Sequence, residues 1–461
     1  MLALGAVLGL AVFVAMVVRP TFGAYTYILV GPLVTGMARG DLLPFVRPNE
    51  ALFLVIVTAI GVRAVLDYLS RRSPFPTLNA VDLGLLFMAV ASSIIPILWK
   101  QARGLALTSD DIMYSLVLWK YLLLYMAFRV TIRTTAQVHR CLTLSMVSAA
   151  VVALVGMLQV SNLFGVPEFL HTHYDQPFEG HKDVLTERGT STVASSFSFG
   201  DMMIMNFAIA YTMLQHKRRG RWLLMGAAAM FLGGCIAAGA FSGYIGLVVA
   251  VVALGVITGQ LVRLIGFGIP AGVVASILFL PVIAGRLEGF ESPAGVPHSW
   301  RGRWINLEQE FFPQLFSGFN WLLGVQPAPR LPAPETWRDF IYIESGYVWL
   351  LWIGGIPFLA AFVFFVWVAA KRLWRTVHER DDAIAVAATA SLTSFSFIVV
   401  LMLLDPHLTA RGAADLFYVL LALALVRPRE ARRPQRVAQE PRRVPAAVPA
   451  TPALARRSRP V

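Results

Sequence analysis

The feature that most limits what this chain can fold into is the recurrence of apolar runs about as long as a membrane is thick. About 17–25 apolar residues suffice for a helix across a hydrocarbon core. Such runs lie near 2–18, 22–38, 51–68, 81–98, 110–128, 138–160, 198–214, 222–239, 242–260, 264–284, 345–369, 383–404 and 414–426. Lipid offers no partner to backbone N–H and C=O groups, so these runs must satisfy themselves as helices. The alternating pattern of a membrane barrel is absent. Only 14% of the residues are charged and mean hydropathy is +0.67, whereas soluble domains carry about 25% charge. The expected fold is an all-α, polytopic transmembrane helical bundle over 1–426, with about 12–13 spans. Residues 2–18 lack a basic leader and a small-residue cleavage site, so they read as the first span.

The formal charge of +13 suggests nucleic acid until its distribution is examined. Much of the excess sits in 427–461, a Pro/Ala/Arg-rich tail too poor in apolar residues to pack. A tail of that kind suits anionic membrane lipids, and no nucleic-acid partner is expected. Cys141 and Cys235 lie in apolar runs and read as small buried hydrophobes, not as a disulfide or metal pair. Lysine and arginine cluster at Arg71 and Arg72, at Arg129, Arg133 and Arg140, at Lys217 to Arg221, at Lys371 to Arg375 and in the tail. Thirteen spans put all of these on one side, which the positive-inside rule makes the cytoplasm. The C-terminus is then cytoplasmic, and two long loops, about 161–197 and 285–343, face the other way.

These loops hold too many aromatic and charged residues to be simple linkers. Trp304, Leu307, Phe311 and Gln314 recur at helical spacing, as in a helix lying on a membrane surface. Arg188 stands just before an apolar run and Glu344 opens another, at depths where a charge must be paired or used. Within the runs, Arg63, Asp82, Lys120 and Asp201 read as members of bundle-internal ion pairs. His171, His173 and His181 are spaced too loosely for a metal site, and no metal or cofactor is expected. Phosphate-binding loops, zinc-type His-Glu pairs and nucleophile elbows are absent from the sequence.

One ordered set of short motifs goes further. Arg188-Gly189-Thr190-Ser191-Thr192 precedes Phe197 and Gly200, and Phe241-Ser242-Gly243-Tyr244 opens a later span. Ser299-Trp300-Arg301-Gly302-Arg303-Trp304 runs on to Phe316-Ser317-Gly318 and Leu323-Gly324-Val325. Glu344-Ser345-Gly346-Tyr347 is followed by Gly354-Gly355. Over about residues 185–370 this set resembles the bacterial O-antigen ligase and polysaccharide polymerase superfamily. Two departures stand out: the family's Ser-Arg-Gly arginine is missing near Ser242, and Glu344 stands where its ligases carry histidine.

The resemblance implies an inner-membrane glycosyltransferase that polymerises or transfers glycans carried on undecaprenyl diphosphate at the outer leaflet. Its partners would be that lipid-linked donor, a glycan acceptor and other polysaccharide-assembly proteins. Arginine offers a planar, permanently charged fork for phosphate, which suits Arg188 and either Arg301 or Arg303 as diphosphate clamps. Glu344 is placed as the catalytic base. Trp304, Tyr347 and Trp337 are placed to stack on sugars. The alternatives are ligase-type transfer to a lipid or protein acceptor, and a polysaccharide transporter or flippase. A transporter should show internal repeats and helices broken at the membrane midplane; no convincing repeat is evident, and the suggestive charges cluster at the outer face. The charge asymmetry makes the topology testable. Asp175→Cys and Pro332→Cys should react with an impermeant thiol reagent in intact cells, and Arg219→Cys should not. The opposite labelling pattern would invert the orientation.

Overall fold

Helix formation follows the apolar runs closely. The computed structural model describes residues 2–38, 46–71, 76–175, 184–216, 220–290, 295, 297–334, 339–380 and 382–427. His181, Trp337, Arg338 and the tail beyond Arg427 lie outside the described residues.

In chain order the helices are α1 Leu2–Val18, α2 Pro20–Val34, α3 Pro48–Leu69, α4 Ala80–Ala91, α5 Ile94–Ala102, α6 Ser109–Ser115 and α7 Val117–Thr131. Next come α8 Thr135–Val160, α9 Val166–His173, α10 Val184–Glu187, α11 Ser196–His216, α12 Arg221–Ala237, α13 Phe241–Thr258 and α14 Leu261–Leu278. The chain continues through α15 Leu280–Leu287, α16 His298–Asn306, α17 Phe312–Leu315 and α18 Asn320–Leu323 to α19 Gly346–Glu379, α20 Ala383–Leu401 and α21 Ala413–Ala424. The strands β1 Arg330–Pro332 and β2 Phe340–Tyr342 pair antiparallel, with Arg330 opposite Tyr342.

Among the described residues, nine helical stretches are long and apolar enough to cross a membrane, where the sequence suggested about 12–13. They are α3, α4 with α5, α6 with α7, α8, α11, α13, α14, α19 and α20. The difference has three local causes. The chain bends by 120° between α1 and α2, at Arg19 and Pro20, so this pair supplies at most one further span. Helix α12 has 17 residues and α21 only 12. All twelve residues of α21 are buried, so its apolar composition is met by protein and not by lipid.

The charges within the runs pair across the bundle. Asp82 closes the first turn of α4, accepting from the Asn79 backbone N–H, and also meets Arg129 on α7 at 2.9 Å. Lys120 meets Asp415 at 2.9 Å, and the Tyr27 hydroxyl donates to the same carboxylate. Arg63 pairs with Asp67 one turn along α3 at 3.2 Å. A buried charge left alone costs several kcal/mol, roughly 3–5 when one partner of a buried pair is removed. Asp82 with Arg129 and Lys120 with Asp415 therefore help fix which helices become neighbours, whereas the Arg63–Asp67 pair stays within α3.

The segment between α15 and α19 is held against the bundle by polar contacts. Arg330 pairs with Asp110, Lys100 donates to Gln326 at 3.4 Å, and Arg103 donates to Asn320 at 2.9 Å. The expected surface helix around 300–316 forms as α16, a π-helical turn over Leu307–Phe311, and α17. Leu307 and Phe311 face the protein while Trp304 and Gln314 are exposed, so the four do not share one environment.

Helix α19 breaks where that segment passes it. Gly355 has φ 61° and ψ −153°, and Pro357 lacks the N–H that would bond to Ile353. The break frees the Trp352 carbonyl, which accepts from the Val325 N–H at 2.6 Å. A β-carbon at position 355 would press on the Leu322 carbonyl. Gly355→Ala should therefore cost about 1–3 kcal/mol, the range for a residue forced into glycine-only backbone space. Gly302→Ala, in a helix with open space around it, should be neutral or slightly stabilising. Thermal unfolding in detergent compares the two, and equal midpoints would contradict this reading of the break.

Candidate functional site at the α16 end of the bundle

The stretch before α11 is irregular backbone set against apolar helices, so its polar groups need partners from neighbouring elements. Gln159, fully buried near the end of α8, supplies several. Its Oε1 accepts from the N–H groups of Thr190 and Ser191 at 3.0 and 2.8 Å. Its Nε2 donates to the Thr190 hydroxyl at 3.0 Å. The Ser191 hydroxyl donates to the Val152 carbonyl at 2.6 Å, and Gly189 N–H to Ala237 at 2.9 Å. Ser191 and Ala194 both have positive φ, at 50° and 55°. Backbone strain of about 1–3 kcal/mol per residue persists only where surroundings impose it, and here the α8 contacts do.

This strapping delivers Arg188, half-buried, to the end of α12. Beside it lies Gly239, with φ 60°, where a β-carbon would come within 3.1 Å of the Glu187 carbonyl and 3.6 Å of the Arg188 Cα. The Gly239 carbonyl accepts from Arg286 Nε at 2.7 Å. Arg188 and Arg286 thus approach the same glycine from two segments. The Arg286 guanidinium lies 5.3 Å over the Phe241 ring, and Phe241 meets Trp300 and Phe290 edge-on. Burial lowers the Arg286 pKa; Tyr244 and Glu187 oppose that shift, and the charge of Arg303 adds to it.

Arg303, on α16, joins two further segments. Its Nε meets Glu344 at 3.3 Å and its NH1 meets Asp405 at 3.0 Å. Glu344 stands two residues before α19, and Asp405 lies in the turn after α20. That turn is tied to the start of α19 through the Met402 carbonyl, which accepts from Gly346 and Tyr347. Two residues on, His407 Nδ1 lies 2.6 Å from Asp201 Oδ2 of α11, with both side chains fully buried. Burial opposes charge on the imidazole. The Asp201 carboxylate, its hydrogen bond and nearby Asp405 outweigh burial and raise the His407 pKa above its ordinary value.

Of the residues singled out in the sequence, the fold brings Arg303 and Glu344 into direct contact and puts the Arg188 backbone beside Gly239, whose carbonyl binds Arg286 within electrostatic reach of Arg303. Arg301 is exposed and Trp304 is 60% exposed. Tyr347 donates from its hydroxyl to the Val399 carbonyl at 2.8 Å and packs on Phe362, so it braces α19 against α20. Arg286, Asp405 and His407 were not singled out. The signal for the last two lay in Asp201: a carboxylate inside a span demands a partner. Asp405-Pro406-His407, a charged turn between two apolar runs, was the place to look for one.

The geometry defines a multi-pass helical membrane protein with a charged cluster at one end of its bundle. No family model matches the chain, and no curated protein matches it in sequence.

Proposed function

We propose that this chain is a bacterial inner-membrane glycosyltransferase working at the outer leaflet on glycans carried by undecaprenyl diphosphate. In this reading it joins the donor glycan to a second lipid-linked glycan, as a polymerase does. The observation that carries the reading is the gathering of Arg303 with the Glu344 carboxylate and, within electrostatic reach, Arg286, which binds the glycine that the Arg188 backbone passes. That end lies across helices α6 and α7 from Arg133, because Arg330 pairs with Asp110 where α6 begins and Arg133 follows α7. The basic end is then cytoplasmic, and the charged cluster faces away from it. The resemblance over residues 185–370 supports the same reading.

The chemistry suits these groups. The acceptor hydroxyl oxygen attacks the anomeric carbon, and the bond from that carbon to the diphosphate oxygen breaks. The electron pair leaves with the diphosphate, and the hydroxyl proton passes to Glu344. Negative charge developing on the leaving group is met by fixed guanidinium groups in a water-poor setting, where they are worth most. Arg303 is held by Glu344 and Asp405. A diphosphate that engages Arg303 relieves its hold on Glu344 and leaves that carboxylate able to accept a proton.

The reading predicts how conservative variants behave. Arg188→Lys should fail nearly as badly as Arg188→Ala, because a point charge does not reproduce the two-pronged fork. Glu344→Gln should retain donor binding and lose about 10²–10⁴-fold in turnover. Both are read as polymer length on a gel at matched protein levels, and as turnover on a purified lipid-linked donor. A fully active lysine variant would remove the clamp, and normal turnover in a stable glutamine variant would remove Glu344 from the chemistry.

A further inference from the structure

The five groups Asp201, His407, Asp405, Arg303 and Glu344 alternate in charge and come from four separate segments of the chain. The least expected members are the first two. Asp201 and His407 are fully buried and meet at 2.6 Å, yet Asp201 Oδ1 and His407 Nε2 are buried with no hydrogen-bond partner. An apolar pair of similar volume would pack there at lower cost, so packing alone does not account for the charges. The pair is also not isolated. Asp405 lies close enough to His407 to act on it electrostatically, and the same carboxylate accepts from Arg303 at 3.0 Å. Within the turn, His407 N–H donates to the Asp405 backbone carbonyl at 2.7 Å, with Pro406 restricting the chain between them.

We propose that the Asp201–His407 pair positions Arg303 through the shared Asp405 carboxylate, and so sets how firmly that arginine is held back from an incoming diphosphate. The phosphate role of Arg303 rests on the proposed function; the coupling from Asp201 to Arg303 does not. Asp405 accepts from Arg303 through its carboxylate and from the His407 N–H through its backbone carbonyl, so both residues bear on it. While the imidazole shares its charge, Arg303 is held loosely enough to turn toward a substrate anion. When the imidazole is replaced, Asp405 is left to Arg303 alone and retains it. His407 is thus a positioning residue, and nothing requires it to touch substrate.

The groups that act on the imidazole are Asp201 on α11, Asp405 on its own turn and Arg303 on α16. The protonated imidazole is present below its raised pKa and is lost as pH rises through it. Donor affinity in the wild type should therefore weaken on the alkaline side, and His407→Gln should lack that limb.

The test is a double-mutant cycle between two positions that meet at a third residue, Asp405. His407→Gln and Arg303→Lys are made singly and together, on the native background and on Asp405→Asn. Thermal midpoints in detergent are read first, because they need no ligand. The midpoint shifts should be non-additive on the native background and additive once Asp405 is neutralised. With a purified undecaprenyl-diphosphate-linked oligosaccharide as donor, His407→Gln should raise KM by at least about threefold, again only while Asp405 is intact. Additive shifts on the native background, or an unchanged pH limb in His407→Gln, would overturn the proposal. Should His407→Gln not accumulate, Asp201→Asn replaces it in the same cycle with the same expectations. If the wild type turns over no lipid-linked donor, the proposed function fails, while the midpoint cycle still decides the coupling.

Discussion

Removing a charge from water is so costly that, inside an apolar bundle, each ionised side chain must come with its partner. This constraint organises the whole chain. Asp82 with Arg129 joins α4 to α7, Lys120 with Asp415 joins α7 to α21, and Asp201 with His407 joins α11 to the turn after α20. Each pair links segments tens to hundreds of residues apart. Dispersion and small-residue packing bring helices together without much selectivity, since lipid tails are as apolar as leucine. The ion pairs supply the selectivity, because a wrong pairing of helices leaves a buried charge uncompensated.

The same rule shapes the charged end. Arg303 comes from a short helix outside the long spans, yet Glu344 and Asp405 hold it in place from two sides. The segment carrying it is tied down in turn by Lys100 with Gln326, by Arg103 with Asn320 and by the Val325 N–H at the break in α19. A transferase that stabilises a leaving diphosphate needs its cations fixed before the charge develops. A short helix clamped by carboxylates and backbone contacts meets that need better than a free loop does. The strained turn at Ser191 and Ala194, strapped to Gln159, does the same for Arg188.

Much of the fold was legible because its signals are local. Each apolar run became a helix, and the charges Arg63, Asp82, Lys120 and Asp201 all found partners. The number of spans was less legible, since hydropathy does not distinguish lipid from the interior of a protein. Helix α21 is apolar because protein surrounds it, and α1 with α2 is divided by a bend centred on Arg19 and Pro20. The site was half legible. Glu344 was chosen because it opens an apolar run and Arg303 through the resemblance, and they do meet. Tyr347 was chosen as an aromatic to stack on sugars, but its hydroxyl is taken up by α20. Arg286 could not be read, because its meaning depends on Gly239, 47 residues away. His407 could be inferred only by asking where Asp201 finds its partner.

A glycosyltransferase must break the bond between sugar and diphosphate, whereas a transporter moves its lipid-linked cargo intact. The most direct measurement follows from that difference. Purified protein in nanodiscs is mixed with an undecaprenyl-diphosphate-linked oligosaccharide, and both products are followed with time. Release of undecaprenyl diphosphate in step with elongation of the lipid-linked glycan is the expected result. Donor that stays intact in nanodiscs, yet crosses the bilayer when the same protein is placed in sealed vesicles, would contradict a transferase.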